Sequence, residues 1–238
     1  MNKITSISFD ADGTLWDFTR VMRHSLDCVL TELRRLAPAH INPLTIETMI
    51  AIRNQVAEEL KGKVTNLEEI RLAAFKRTLQ QIGIFDDALA THLNDLYLQH
   101  RFEDIDLYDD VLPVLNALQD NYTLGLLSNG NSYPEKCGLK NRFQFVVFSQ
   151  DHSIEKPDPK IFKIAMSQAE CSPREFLHVG DSLQSDVVGA NKAGIRSVWL
   201  NRTERENDSG IQADFEIKSL TELMGICRQE EISDAENL

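Results

Sequence analysis

One strand-like segment stands at the front of this chain, separated from every later one by a long helical stretch. Ile4–Phe9 is apolar enough to be a strand, and it stops at the polar turn Asp10-Ala11-Asp12-Gly13-Thr14. A lone strand cannot satisfy its backbone hydrogen bonds, so it must pair with strands that come later. Whatever lies between is then an insertion into a sheet. This constrains the fold more than any other feature.

The intervening segment is helical. Val21, Met22, Leu26, Val29, Leu30, Leu33 and Leu36 recur at spacings of three and four, the signature of one amphipathic face. Pro38 and Pro43 end that helix. A second runs from Leu44 to Leu60 and is closed by Lys61-Gly62-Lys63. Asn66, with Glu69 three residues on, starts a third that reaches Gln81, and Asp87–Arg101 supplies a fourth. After Tyr108 the rhythm changes. Strand patterns at Thr123–Leu127, Phe145–Phe148, Phe176–Val179, Ser197–Leu200 and, more weakly, Phe215–Ile217 alternate with helices. Asp110 is placed to cap one helix, Asp158-Pro159 opens another, and a third follows Asp186 and closes at Gly194. Such alternation predicts an α/β fold: a Rossmann-like parallel sheet core with an inserted all-helical domain. The expected boundaries are 1–16 with 106–238 for the discontinuous core and 17–105 for the insertion, with 228–238 an acidic, frayed tail.

Charge narrows the partners. The chain carries 25 Lys+Arg against 37 Asp+Glu, a formal net charge of −12, which disfavours a phosphate backbone as ligand and so argues against nucleic acid. No run of apolar residues is long enough to span a membrane, and the N-terminus lacks a signal-like stretch, so a cytoplasmic protein is expected. Cys28, Cys137, Cys171 and Cys227 form no C-x-x-C pair and no metal-like cluster by spacing. They read as reduced, mostly buried thiols.

Four polar clusters fall directly after strands: Asp10–Thr14, Ser128-Asn129-Gly130, Lys156-Pro157, and Gly180-Asp181 with Asp186. Singly, each reads as an ordinary turn or cap. Together they occupy the carboxyl ends of one parallel sheet, where ligands bind in such folds. Asp10, Asp12, Asp181 and Asp186 would converge, and carboxylates about 4 Å apart repel by roughly 4 kcal/mol at an effective dielectric of 20. They need a counter-charge. Hard oxygen ligands beside a phosphate favour Mg²⁺, while Lys156 adds a fixed positive charge and Ser128 a hydroxyl donor. Such a pocket suits an incoming phosphoryl group.

The segments FDADGTLWD, LLSNGN, EKPDPKIF and HVGDSLQSD, in this order, resemble the four motifs of the haloacid dehalogenase superfamily. The resemblance covers about residues 1–15 and 108–225, and the insertion resembles a type-one cap by position and helicity. It implies a phosphatase of small phosphorylated metabolites. Asp10 would be the nucleophile, forming an aspartyl-phosphate. Asp12 would be the general acid and base, held in place by Thr14. Lys156 would neutralise the phosphate. Ser128, with Asn129, Gly130 and Thr14, would hold the substrate. Mg²⁺ would be bound by Asp10, the Asp12 carbonyl, Asp181 and Asp186. Dehalogenases of the superfamily lack the Asp12 carboxylate, and hexose-phosphate mutases tend to carry Val where Thr14 stands. Length and segment order resemble the nucleotidase, phosphoglycolate phosphatase and sugar phosphatase group. The stretch Asn131–Phe143 departs from the family pattern in leaving little room for a helix.

Two other readings stand beside this one: a phosphotransferase or mutase of the same superfamily, and a phospho-acceptor switch like bacterial receiver domains, which Asp10 at the end of the first strand disfavours. A monomer or weak homodimer is expected. Trp16 reads as a packed hinge aromatic and His178 as a core histidine. Arg20, His24 and Arg53 read as solvated helix-face residues. Asn131 and His152 lie in loops near the site, and Asn201 and Arg202 follow a strand without further warrant.

Overall fold

The computed structural model describes residues 3–39 and 44–228. Pro43 and the acidic tail beyond residue 228 lie outside the described residues. The chain divides into two compact units, residues 1–17 with 107–238, and residues 18–106.

The first unit is built on a six-stranded, all-parallel sheet in the order β3-β2-β1-β4-β5-β6. Its strands are β1 (Ser6–Phe9), β2 (Thr123–Ser128), β3 (Phe145–Phe148), β4 (Phe176–Gly180), β5 (Arg196–Leu200) and β6 (Phe215–Ile217). The first strand therefore lies mid-sheet, between β2 and β4, as its isolation in sequence required. Helices α5 (Val111–Leu118), α6 (Ser149–His152), α7 (Pro159–Gln168) and α8 (Val188–Ala193) join the strands. Leu124, Leu126, Leu127, Val147, Phe176, Val179 and Val198 are all buried, so the strands read as apolar runs, as expected of a sheet buried on both faces. Ser6 and Ser8 in β1 break that pattern while remaining buried.

One expected cap is replaced. Asp110 precedes α5, but its side chain does not cap that helix. Its carboxylate instead accepts from Arg202 Nη1 and Nη2 (2.9 and 2.8 Å), Ser219 Oγ (2.8 Å) and Leu220 N (2.8 Å). A bidentate guanidinium outweighs a single cap bond. The helix expected after Asp186 is present as α8, but Asp186 does not cap it. Ser182 caps a π-turn over Leu183–Val187, and Asp186 lies within it, leading into α8. Gly194 closes α8 with a positive φ of 73°, and Asp158 caps α7 through Lys160 N, both as expected. Between β2 and β3 only a three-residue 3₁₀ turn forms, Pro134–Lys136, in keeping with the short segment there.

The second unit contains α1 (Phe18–Leu36), α2 (Ile46–Leu60), α3 (Leu67–Gln81) and α4 (Asp87–Glu103). Thr45 caps α2 in a box with Thr48, Asn66 caps α3 through Glu68 N, and Asp86 caps α4 through Leu89 N. The stripe read on α1 is buried at Val21, Met22, Leu26, Val29, Leu30 and Leu33, while Leu36 is exposed. Leu30 and Leu33 pack with Phe75, Leu79, Ala90, Leu93 and Tyr97 in one cluster. Full burial of a leucine such as Leu33 or Leu93 contributes about 2–3 kcal/mol. Among the described residues no helix is long and apolar enough to cross a membrane.

Candidate active site

With β2 and β3 on one side of β1 and β4–β6 on the other, chain crossovers diverge at β1 and open a crevice at the carboxyl ends of the strands. Asp10 directly follows β1, and its N–H donates to Val179 O of β4 (2.8 Å). Ser128 ends β2. Asp181 directly follows β4. Lys156 arrives from the loop after β3 and α6, and Asp186 from the π-turn.

Lys156 ties these elements together. Its Nζ donates to Asp10 Oδ1 (2.6 Å), Asp186 Oδ1 (2.6 Å) and Leu127 O (2.8 Å), so all three ammonium protons are spent. The three residues are nearly sealed, at 3%, 7% and 1% exposure for Lys156, Asp10 and Asp186. Burial pushes the Asp10 carboxyl up. Lys156 opposes the rise, and the charges of Asp186 and Asp181 add to it. Asp181 is pushed up to about 6, by burial first and then by Asp186. Burial also works against ionised Asp186, but Lys156 and His178 overcome it and hold this carboxyl below the usual range. The carboxylates outnumber the ammonium, and burial first, with this excess negative charge added to it, drives Asp10 and Asp181 toward protonation.

Asp10, Asp181 and Asp186 bring carboxylate oxygens within 4.8 Å of one another. The donors are all hard oxygens, and the charge excess is the kind a divalent cation removes, so the residues present fit such an ion. The backbone is shaped around them. Gly13 has φ +88°, and a Cβ there would lie 2.6 Å from Asp181 Oδ2. A Cβ on Gly130 would lie 2.7 Å from Asp12 Oδ2.

Asp12 is held by residues the sequence did not single out for that task. Its Oδ1 accepts from Trp16 Nε1 (2.9 Å) and Ser132 Oγ (3.4 Å). Trp16 is fully buried. The structure shows no hydrogen bond for Thr14 Oγ1, although it is buried, so the expected anchoring of Asp12 by Thr14 is made by Trp16 and Ser132 instead. The Thr14 carbonyl accepts from Arg202 Nη2 (3.0 Å). The guanidinium of Arg202 also lies 4.0 Å from the centre of the Tyr108 ring. Arg202 therefore fixes the segments on either side of the insertion, Thr14 and Tyr108–Asp110, to the end of β5.

Ser128 Oγ accepts from Gly130 N (3.0 Å), which leaves the hydroxyl proton to donate. The Asn129 carboxamide is committed to the lysine loop, donating to Lys156 O (3.0 Å) and accepting from Lys156 N (2.8 Å) and Ser149 Oγ (2.6 Å). His178 is a core histidine as read, but it is joined to the site. Burial lowers its pKa and favours the neutral ring. Asp186 can only accept, so His178 Nε2 donates to Asp186 Oδ1 (3.0 Å) and Nδ1 accepts from Ser8 Oγ (2.7 Å). That pairing across β1 and β4 accounts for the buried serine in β1.

Residues 4–194 match the family of haloacid dehalogenase-like hydrolases. Pyrimidine 5'-nucleotidase YjjG of Escherichia coli is 29% identical over 91% of this chain and 95% of its own length. Glyceraldehyde 3-phosphate phosphatase of Methanopyrus kandleri is 29% identical over 95% and 98%. Among solved structures, a 2-haloacid dehalogenase from Pseudomonas syringae pv. tomato superposes with a TM-score of 0.82 at 28% identity, covering 95% of this chain and 99% of the other. A match over most of the chain, with the same parallel core, makes this protein a member of the haloacid dehalogenase-like hydrolases.

Proposed function

We propose that the chain is a Mg²⁺-dependent phosphatase of small phosphomonoesters that works through an aspartyl-phosphate on Asp10. The observation that carries this reading is the second carboxylate, Asp12, fixed by Trp16 and Ser132 beside the Ser128–Gly130 turn. A halide leaves as a stable anion and needs no proton. An alkoxide leaving a phosphate ester does need one, so a carboxyl acid placed next to the nucleophile favours ester chemistry over the dehalogenation named for the structural neighbour. The nucleotidase and the phosphatase among the sequence relatives agree with this choice.

In the first step an Asp10 carboxylate oxygen attacks phosphorus, the bond from phosphorus to the ester oxygen breaks, and Asp12 gives its proton to the departing alkoxide. In the second, water attacks the same phosphorus as Asp12 takes its proton, and Asp10 is released with inorganic phosphate. Lys156 holds Asp10 Oδ1 and leaves the other oxygen for attack. Ser128 Oγ and the N–H groups of the following turn would receive the phosphoryl oxygens. Asn129 acts on Lys156 by fixing its backbone. Asp10, Asp181 and the Asp12 carbonyl would hold Mg²⁺, and Asp186, with both oxygens already accepting from protein donors, would act through water. The ion would supply charge neutralisation for Asp10 and the incoming phosphate. The helical insertion would serve as the cap that excludes bulk water.

The test is phosphate release from p-nitrophenyl phosphate and a panel of nucleotide, sugar and phospho-acid monoesters with Mg²⁺. Turnover that vanishes in Asp10→Asn is expected. No release beyond that variant across the panel overturns the proposal. Isomerised esters in place of free phosphate would point to the mutase reading.

A further inference from the structure

The insertion contains a second cluster of ligating side chains, on two helices and of different chemistry. His24 and Cys28 lie four residues apart on α1. His100, in the last turn of α4, and Asp104, at its C-cap, lie four residues apart on the other. The i, i+4 spacing puts each pair on one helix face. The helices run antiparallel: Glu32 late in α1 meets His92 early in α4 (3.3 Å), and His24 meets Asp104 at the opposite end (3.1 Å). The two faces therefore coincide. One ligand atom each from His24, Cys28 and His100 lies within 4.8 Å of the others. Asp104 Oδ2 touches both imidazoles, at 3.1 Å from His24 Nε2 and 2.8 Å from His100 Nδ1. Cys28 Sγ is 3.8 Å from His24 Nε2. The two rings stand perpendicular, with centroids 5.9 Å apart.

A set of exposed histidine–aspartate pairs would contribute little to stability. The distances suit another purpose. Zinc bonds of about 2.0–2.1 Å to nitrogen or oxygen and about 2.3 Å to sulfur give tetrahedron edges of about 3.3 Å between N/O donors and about 3.6 Å between N and S. The 3.8 Å between His24 Nε2 and Cys28 Sγ lies close to the N–S edge, His100 brings the third donor within 4.8 Å of both, and Asp104 stands outside this group as the hydrogen-bond acceptor of the two imidazoles. Two imidazoles and a thiol form a nitrogen–sulfur donor set that favours zinc over magnesium, which prefers oxygen ligands.

The geometry points to a Zn²⁺ site formed by His24, Cys28 and His100, with Asp104 orienting the two imidazoles. It ties the N-terminal half of α1 to the end of α4, the two helices through which the chain enters and leaves the insertion. Sequence spacing concealed it, since no single segment carries the metal-like pattern. The inference does not depend on the proposed phosphatase activity.

The experiment is a Co²⁺ titration of chelator-treated, dialysed protein, followed by Zn²⁺ back-titration and melting curves. With excess Mg²⁺ present to fill the Asp10–Asp181 pocket, the wild type is expected to bind one cobalt with a thiolate-to-metal charge-transfer band and the intense visible bands of a four-coordinate ion. One equivalent of Zn²⁺ should erase them, and excess Mg²⁺ should not. Cys28→Ser should lose the thiolate band, His24→Ala with His100→Ala should lose the visible bands, and Asp104→Asn should weaken Zn²⁺ binding about tenfold or more. Zn²⁺ should raise the melting temperature of the wild type but not of Cys28→Ser, while Asp181→Asn should keep the full cobalt spectrum. The side chains replaced are not buried, and circular dichroism checks that each variant folds. A cobalt spectrum without a thiolate band, or equal Zn²⁺ affinity in the wild type and Cys28→Ser, overturns the site.

Discussion

In the α/β unit the charged groups that matter lie inside, with Lys156, Asp10 and Asp186 joined in one buried network. In the helical unit the pairs Arg23–Glu47, Lys76–Asp87 and Arg77–Glu59 sit at the surface. Arg101 departs from this, buried with its guanidinium over the Phe18 and Phe102 rings. The two arrangements have different energetics. Burying an ion costs several kcal/mol unless partners are supplied from several directions. A surface pair contributes about 1 kcal/mol or less. The core bears that cost where the segments after β1, β2, β3 and β4 meet, which is where the chemistry is proposed. The helical unit draws its stability from the apolar cluster around Leu33, Phe75 and Leu93.

This contrast can be broken or sharpened. The largest effect should follow removal of the divalent ion. Chelation is expected to lower turnover by about 10³-fold or more, with recovery on adding Mg²⁺, since neutralisation worth several kcal/mol is lost. Full activity in chelator would leave the three-carboxylate pocket unexplained. Next comes Asp12→Asn, which should cost about 10²–10⁴-fold in kcat on alkyl phosphates and much less on p-nitrophenyl phosphate, whose leaving group needs little protonation. Equal losses on both substrates would remove Asp12 as the acid.

In the helical unit, Leu93→Ala should destabilise by about 2–5 kcal/mol in a denaturant melt while turnover per folded molecule stays close to wild type. A large kcat loss at full folding would show that the insertion's core takes part in chemistry. The smallest effect expected is from Trp16→Phe, which removes the indole N–H from Asp12. A hydrogen bond to a charged group of about 1.5–3 kcal/mol corresponds to a fall in kcat of about 10- to 150-fold, with KM little changed.

How much was legible beforehand follows the same division. The strands were readable because a parallel sheet turns them into apolar runs, and the polar clusters after them marked the site. What sequence did not reveal were partnerships between distant residues. Asp110 has the spacing of a cap, but a guanidinium ninety-two residues away takes its carboxylate. Asp186 resembles a helix start, yet Ser182 begins a π-turn there, which no periodicity signals. Trp16 four residues after Asp12 looked like packing, because only the turn at Gly13 brings its N–H back to the carboxylate. His24 read as a solvated helix-face residue and Cys28 as an ordinary reduced thiol until α4 brought His100 and Asp104 beside them.

The central claim is that Asp10 is transiently esterified by phosphate. Rapid acid quenching of the enzyme during its first turnover with a good substrate and Mg²⁺, followed by peptide mapping by mass spectrometry, tests it directly. The account predicts a phosphoryl group on Asp10, formed before phosphate release and lost on further ageing. A phosphoryl group on another residue, or burst release of phosphate with Asp10 unmodified at every quench time, would contradict it.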